Sequence, residues 1–183
     1  MKISAEKNTR IVKAIESWFK TWARAFPWRI NSTPWGRLVS EFMAQQTQIA
    51  RVAERWPSMM KKFPTPTSMS MQDEQEVLKR WQGLGYYRRA KQLKATADMI
   101  VKEFDGEVPC SMESLMQLPG VGRYTAGAVA SIAFNERVPI VDGNVHRVLS
   151  RLYADAVSLD DREGAKPHCC EAWAYCQRCC PRD

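Results

Sequence analysis

The chain has 183 residues, with 27 Lys and Arg against 20 Asp and Glu and a net charge of +7. That length is enough to bury one core or two small ones. No apolar run approaches the roughly 20 residues of a membrane span, and the leading MKISAEKNTR lacks the apolar stretch of a signal peptide, so a soluble cytoplasmic protein with no membrane partner is expected.

The positive charge is uneven. Four basic and six acidic residues fall from Asp155 onward, which leaves +9 on residues 1–154. Such an excess suits a polyanionic partner. Ile11, Ile15, Trp18, Trp22 and Phe26 recur at helical spacing and predict an amphipathic helix over 8–25, ended by Pro27. Pro27-Trp28-Arg29 and Pro34-Trp35 set indoles beside arginines, either to line a base pocket by stacking or to form a buried corner. A long helix is expected from about Trp35, with Leu38, Phe42, Gln45, Ile49, Val52, Trp56, Met59 and Phe63 on one face and Pro57 as its point of kink or break. Glu41 lies at the edge of that face, one turn before Gln45. A carboxyl half-sunk among apolar groups has a raised pKa and keeps its proton near neutrality; the plain alternative is a surface glutamate. The amides of Gln45-Gln46-Thr47-Gln48 suit reading base edges or filling a gap in a base stack, or are solvated surface.

Phe63-Pro64-Thr65-Pro66 reads as a loop, and Asp73 to Gln82 as a short helix closed by Gly83. Gly83-Leu84-Gly85-Tyr86-Tyr87-Arg88-Arg89 then turns into a helix carrying Lys91 and Lys94, with Leu93, Ala97 and Ile100 on its buried side. An aromatic pair at a glycine turn followed by cations fits a wedge into a duplex with backbone contacts; two core tyrosines beside a solvated basic face fit equally. Ser111 caps the next helix, with Glu113 in its first turn. In Leu118-Pro119-Gly120-Val121-Gly122, the proline stops that helix and the glycines allow backbone angles closed to other residues. The N–H groups of Val121, Gly122 and Arg123 open a new helix with no bulk in front of them. This is a phosphate seat, or an ordinary helix–helix connection.

Ala126, Gly127, Ala128, Ala130 and Ala133 make the following helix small enough to pack centrally. Val138 to Val141 is an extended link. Asp142 then caps a helix bearing Val145, Val148, Leu149 and Leu152, unless Asp142-Gly143-Asn144 is a hairpin turn. The helix dipole favours an ionised Asp142. No internal repeat, low-complexity segment or convincing strand pair is present, so the fold class is all-α. One carboxyl placed to stay protonated and one placed to stay charged are what cleavage of a glycosidic bond needs. Combined with a phosphate-binding turn in the same chain, that pair suggests a sugar that belongs to DNA.

LPGVG, VDGNVHRVLSR, SEFMAQQTQ and WQGLGYY together resemble the helix-hairpin-helix DNA glycosylases, and within them the MutY-type adenine DNA glycosylases, over about residues 25–153. The resemblance implies a helical barrel lobe over 28–135 containing the hairpin, a second, iron–sulfur-type lobe joining 1–27 to 136–183, and DNA bound across the cleft between them. It implies a monomer that flips out adenine paired with 8-oxoguanine or guanine and hydrolyses its N-glycosidic bond. Glu41 would be the proton donor and Asp142 the stabiliser of the sugar cation, with Tyr124 and Asn144 in support. Gln46 and Tyr86 would enter the duplex. Gln45, Gln48, Arg88 and the hairpin residues Gly120, Val121, Gly122 and Arg123 would contact DNA, and Trp28 and Arg29 would bound the base pocket. The hairpin carbonyls would hold a monovalent cation.

Tyr124 stands where strand-cutting relatives carry a lysine that forms a Schiff base, so water is the expected nucleophile. Thymine or uracil mismatch glycosylases of the same superfamily also carry tyrosine there and are the alternative. His146 stands where adenine enzymes frequently have lysine. Cys110 is isolated, whereas the other five cysteines fall between Cys169 and Cys180. Cys169, Cys176 and Cys179 reproduce the first three positions of the family's C-x6-C-x2-C-x5-C cluster spacing, and the fourth would fall past Asp183. A [4Fe–4S] cluster takes four thiolates. The expectation is therefore an incomplete second lobe without a stable cluster, with a non-catalytic DNA-binding remnant as the reading outside enzymes.

Overall fold

The computed structural model describes residues 5–30 and 33–153. All regular structure among them is helical. The chain divides into two units, residues 25–136 and residues 1–24 with 137–183.

In the 25–136 unit, α2 (Pro27–Ile30), α3 (Pro34–Ala44), α4 (Ile49–Lys62), α5 (Pro66–Ser70), α6 (Glu74–Trp81), α7 (Arg88–Glu103), α8 (Met112–Leu115) and α9 (Arg123–Phe134) follow in order. The centre is α3, which packs on α4, α7 and α9. Its start is set locally: Thr33 Oγ1 accepts from the Gly36 N–H at 3.0 Å, and Pro34 occupies the first turn, where a missing N–H costs nothing. Leu38, Val39, Phe42 and Met43 are fully buried. Gly36 lets α4 come close, because a Cβ there would lie 3.0 Å from Trp56 Cζ2. Trp56 Nε1 donates to Gly36 O at 3.0 Å, and Trp35 Nε1 donates to Phe63 O at 3.0 Å, so both buried indoles are satisfied.

Three expectations are corrected here. The long helix from Trp35 is two helices, and it breaks at Gln45–Gln48 rather than at Pro57, which lies inside α4. The break has a backbone cause: Gln46 takes a left-handed φ of 53°, which ends an α-helix. The loop expected through Pro66 stops at Thr65, whose hydroxyl and Ser68 form a reciprocal capping box that starts α5. The first helix, α1 (Ala5–Trp22), ends before Phe26, and Pro27 opens α2 instead of closing α1.

In the other unit, Val12 of α1 is buried, while Ile15, Trp18 and Trp22 of the predicted stripe are exposed, as is Phe19 beside them. The extended link 138–141 leads into α10 (Gly143–Tyr153). Leu149 is buried there, against Val141, Val145 and Leu152. No described helix is long and apolar enough to cross a membrane.

Candidate active site and DNA-binding surface

Glu41 sits on the third turn of α3, half-buried, and desolvation pushes its carboxyl pKa up while the positive charge of Arg37 opposes the shift. Arg37 is one turn earlier on the same helix and is buried, with its Nε lacking a hydrogen-bond partner among the described residues. Burial lowers the Arg37 pKa, Glu41 opposes that, Arg29 of α2 adds to it, and Tyr124 of α9 opposes it. Four groups expected or found at the site, Arg29, Arg37, Glu41 and Tyr124, therefore share one electrostatic neighbourhood. Tyr124 is 41% exposed at the second residue of α9. Trp28 is in an aromatic corner, stacked on Phe26 at 4.8 Å and edge-on to Trp56 at 6.3 Å. The Arg29 guanidinium lies 5.3 Å from the Phe26 ring centre. Trp28 therefore forms the buried corner, one of the two readings of the sequence, and Arg29 lies over Phe26 rather than over an indole.

In the second unit, Asp142 caps α10 with both carboxylate oxygens engaged. Oδ1 accepts from the Val145 N–H at 2.8 Å, and Oδ2 accepts from Asn144 Nδ2 at 2.9 Å. Both donors point their partial positive charge at the carboxylate. Asn144 thus positions the carboxylate. His146, on the next turn, is buried with Nδ1 3.2 Å from Ser150 Oγ.

Two loops of the 25–136 unit carry the amides and aromatics. Gln46 and Gln48 are exposed, Gln45 is half-buried, and a cleft of about 230 Å³ is lined by Gln46, Thr47, Gln48, Arg51 and Leu84. Tyr86 and Tyr87 are exposed at 63% and 45%, so they are surface aromatics rather than core. Tyr86 has a φ of 47°, left-handed like Gln46. The turn holding it is fixed by Arg51 Nη1, which donates to Gly83 O at 2.8 Å, and by Trp81 Nε1, which donates to Gly85 O at 3.0 Å.

The four cations after the tyrosines do not form one basic face. Arg88 is exposed, but Lys91 pairs with Glu74 at 2.9 Å and Lys94 with Asp98 at 2.6 Å. Arg89 is buried. Its Nη1 donates to Phe42 O and Met43 O, both at 2.9 Å. Its Nη2 donates to Thr47 Oγ1 at 2.9 Å and to Leu84 O and Gly85 O at 3.0 Å. Charge-to-residue counting along the sequence missed both this arginine and Arg37, since nothing local distinguishes them from solvated cations.

The hairpin between α8 and α9 is anchored to α7: Thr96 Oγ1 donates to Pro119 O at 2.7 Å, and a Cβ on Gly120 would meet Gln92 at 2.9 Å. Gly120 has the left-handed φ of 75° that glycine serves. Gly122 does not: its φ is −88°, open to any residue, which corrects the reading of both glycines as conformational. What Gly122 supplies is space, with nothing within 4 Å of an added Cβ and no side chain capping α9. The Leu118 and Pro119 carbonyls each accept one hydrogen bond, which leaves a second lone pair on each, a donor set compatible with a monovalent cation. Cys169, Cys176 and Cys179 lie outside the described residues. Cys110 is exposed, and no group of three or more His, Cys, Asp or Glu among the described residues could hold a metal ion.

The helical arrangement is that of the base-excision DNA glycosylases. It is similar to the solved structure of a thermostable thymine-DNA glycosylase, with a TM-score of 0.84 and 26% identity, covering 96% of this chain and 83% of that one. It is also similar to endonuclease III in a non-covalent DNA complex, with a TM-score of 0.76 and 25% identity, covering 98% of this chain and 79% of that one. Residues 39–173 match the HhH-GPD superfamily of base excision DNA repair proteins, and the chain belongs to that family. It is 46% identical over 136 residues to the adenine DNA glycosylase of Mycobacterium tuberculosis (strain CDC 1551 / Oshkosh), covering 74% of this chain and 45% of that protein. It is 44% identical over 147 residues to the adenine DNA glycosylase of Homo sapiens, covering 75% of this chain and 27% of that protein. The chain thus spans less than half the length of these relatives.

Proposed function

We propose that the protein is a monofunctional adenine DNA glycosylase, acting on adenine mispaired with 8-oxoguanine or guanine in double-stranded DNA as a monomer. The observation that carries this is the half-buried Glu41 carboxyl with its raised pKa. A carboxyl with a raised pKa holds its proton more readily and gives it to the departing base, and the bond that breaks is the one from the sugar to the base nitrogen. The Asp142 carboxylate stabilises the oxocarbenium-like sugar, and Asn144 holds Asp142. Water completes the hydrolysis, because Tyr124 offers a phenol where a lyase needs an amine. Arg29 and Trp28 bound the base pocket. Gln46 and Tyr86 enter the duplex, with Gln45, Gln48 and Arg88 beside them, while Gly120, Val121, Gly122 and Arg123 seat a phosphate. The hairpin carbonyls take a monovalent cation.

A thymine or uracil mismatch glycosylase is the second reading, favoured by the likeness to the thymine-DNA glycosylase structure. One assay separates them. Labelled duplexes carrying A opposite 8-oxoguanine, T opposite G, or U opposite G are incubated with the protein and treated with hot alkali. Cleavage only at the A strand is expected, and it disappears with Glu41→Gln while duplex binding remains. Cleavage at T or U instead moves the assignment, and binding without any cleavage leaves a DNA-binding remnant.

A further inference from the structure

Two loops proposed to enter the duplex are separated by about forty residues of chain, yet one side chain holds both. Arg89 lies on the first turn of α7, at the helix end where the dipole disfavours a cation. Burial there is offset because both terminal nitrogens are hydrogen-bonded, Nη1 to the end of α3 and Nη2 to the two loops, while Nε has no partner among the described residues. Phe42 O and Met43 O are among the last carbonyls of α3, which have no partner within their own helix. Thr47 Oγ1, Leu84 O and Gly85 O belong to the loops themselves. Thr47 Oγ1 also donates to Leu84 O at 3.1 Å, a direct second link. The guanidinium lies 5.5 Å from the Tyr86 ring centre and 5.3 Å from that of Trp81. A guanidinium is planar and rigid, so its two terminal nitrogens cannot follow separate loop motions.

We infer that Arg89 is a positioning residue that joins the Gln45–Gln48 loop to the Leu84–Tyr87 turn, so that Gln46 and Tyr86 approach the duplex as one unit. Both residues hold left-handed φ angles, 53° and 47°, which a loop free to relax would leave. The bonds from Arg89 to Thr47 Oγ1, next to Gln46, and to Gly85 O, next to Tyr86, keep those angles populated before DNA arrives, which lowers the ordering cost at binding. This rests on the proposed role of the two loops in entering the duplex.

The test is a double-mutant cycle on the 183-residue chain. Affinity for a duplex with A opposite 8-oxoguanine is measured by anisotropy for Gln46→Ala, Tyr86→Ala and the pair. The cycle is repeated with Arg89→Lys, which keeps the charge but reaches fewer of the acceptors, and with Thr47→Val, which removes the direct link and preserves side-chain shape. The expected result is that the two alanine effects fail to multiply by about threefold or more in the original chain and multiply within about twofold in either clamp variant. If Arg89→Lys does not fold, Thr47→Val alone decides. A clamp that were only structural would lower the melting temperature in both variants and leave the coupling unchanged, and that result overturns the inference. Single alanine variants that each weaken binding but multiply fully in the original chain overturn the clamp alone. Single variants with no effect overturn the loop-entry reading and the clamp together.

Discussion

Arg37 stands four residues before Glu41 on α3, and its charge opposes the burial that raises the Glu41 carboxyl pKa. The acid is therefore poised between two opposed effects, burial and a charge one turn away on its own helix. If protonated Glu41 drives excision, the rate falls as pH rises through its pKa. Arg37→Met removes the opposing charge and shifts that alkaline limb to higher pH, whereas Arg37→Lys leaves it near its original place. Single-turnover excision measured across pH gives the result, and an unmoved limb in Arg37→Met removes Arg37 from control of the acid.

The same shift makes a stability prediction. A carboxyl whose folded pKa lies above its unfolded value contributes full stability below the unfolded pKa and loses it as pH rises through the folded one. For Glu41 the loss begins above its ordinary value of 4.5. Glu41→Gln should therefore melt higher than the original chain at neutral pH, by on the order of 1 kcal/mol in stability, the usual scale of relieving a functional strain. The gap should close as pH falls towards 4.5, and thermal melts over that range check both the sign and the window.

Asp142 combines a cap and a charge, and two substitutions separate them. Asp142→Asn keeps an oxygen for the Val145 N–H and should cost little stability, yet excision should fall by roughly 10²-fold or more, as when a positioned transition-state charge is lost. Asp142→Ala loses the cap as well and should destabilise by about 1 kcal/mol. Equal excision by Asp142→Asn and the original chain would leave Asp142 as a cap alone.

Gly120 and Gly122 should respond in opposite ways. Gly120→Ala meets both a left-handed φ and the Gln92 side chain at 2.9 Å, so a loss of about 1–3 kcal/mol in stability is expected. Gly122→Asp has room and an ordinary φ, so the melting temperature should hardly change. Its carboxylate would occupy the phosphate seat, and affinity for undamaged duplex should drop on every sequence. With about five phosphates neutralised, the log–log salt slope of the original chain should lie near −4 to −5. Unchanged affinity in Gly122→Asp would take the hairpin off the DNA surface.

Tyr124 predicts a chemical absence. Borohydride should trap no covalent protein–DNA adduct from the original chain, because a phenol cannot form an iminium with the sugar. A strong adduct, resolved as a shifted band on a denaturing gel, would place the protein with the strand-cutting branch.

Local rules were enough for much of this protein. The spacing of Leu93, Ala97 and Ile100 announced the buried face of α7, and all three are fully buried. Ser111 and Asp142 announced two helix starts, and both cap by side-chain hydrogen bonds. Glu41 was legible as a half-sunk carboxyl because its neighbours Leu38 and Phe42 share its helix. Capping and periodicity are decided within a turn or two, so they are written in consecutive residues. What required the tertiary structure was every feature set by distant chain. An apolar stripe running from Leu38 to Phe63 contains no sign that Gln46 breaks the helix, and the carbonyls Phe42 O and Met43 O near that break are taken up by Arg89 of α7. Arg89 reads as one more cation in a basic run, yet its acceptor Phe42 O lies 47 residues away. Arg37 looks like a surface arginine until α2 and α9 close over α3. Charged and amide side chains take their role from what surrounds them, and only the folded chain brings those surroundings together.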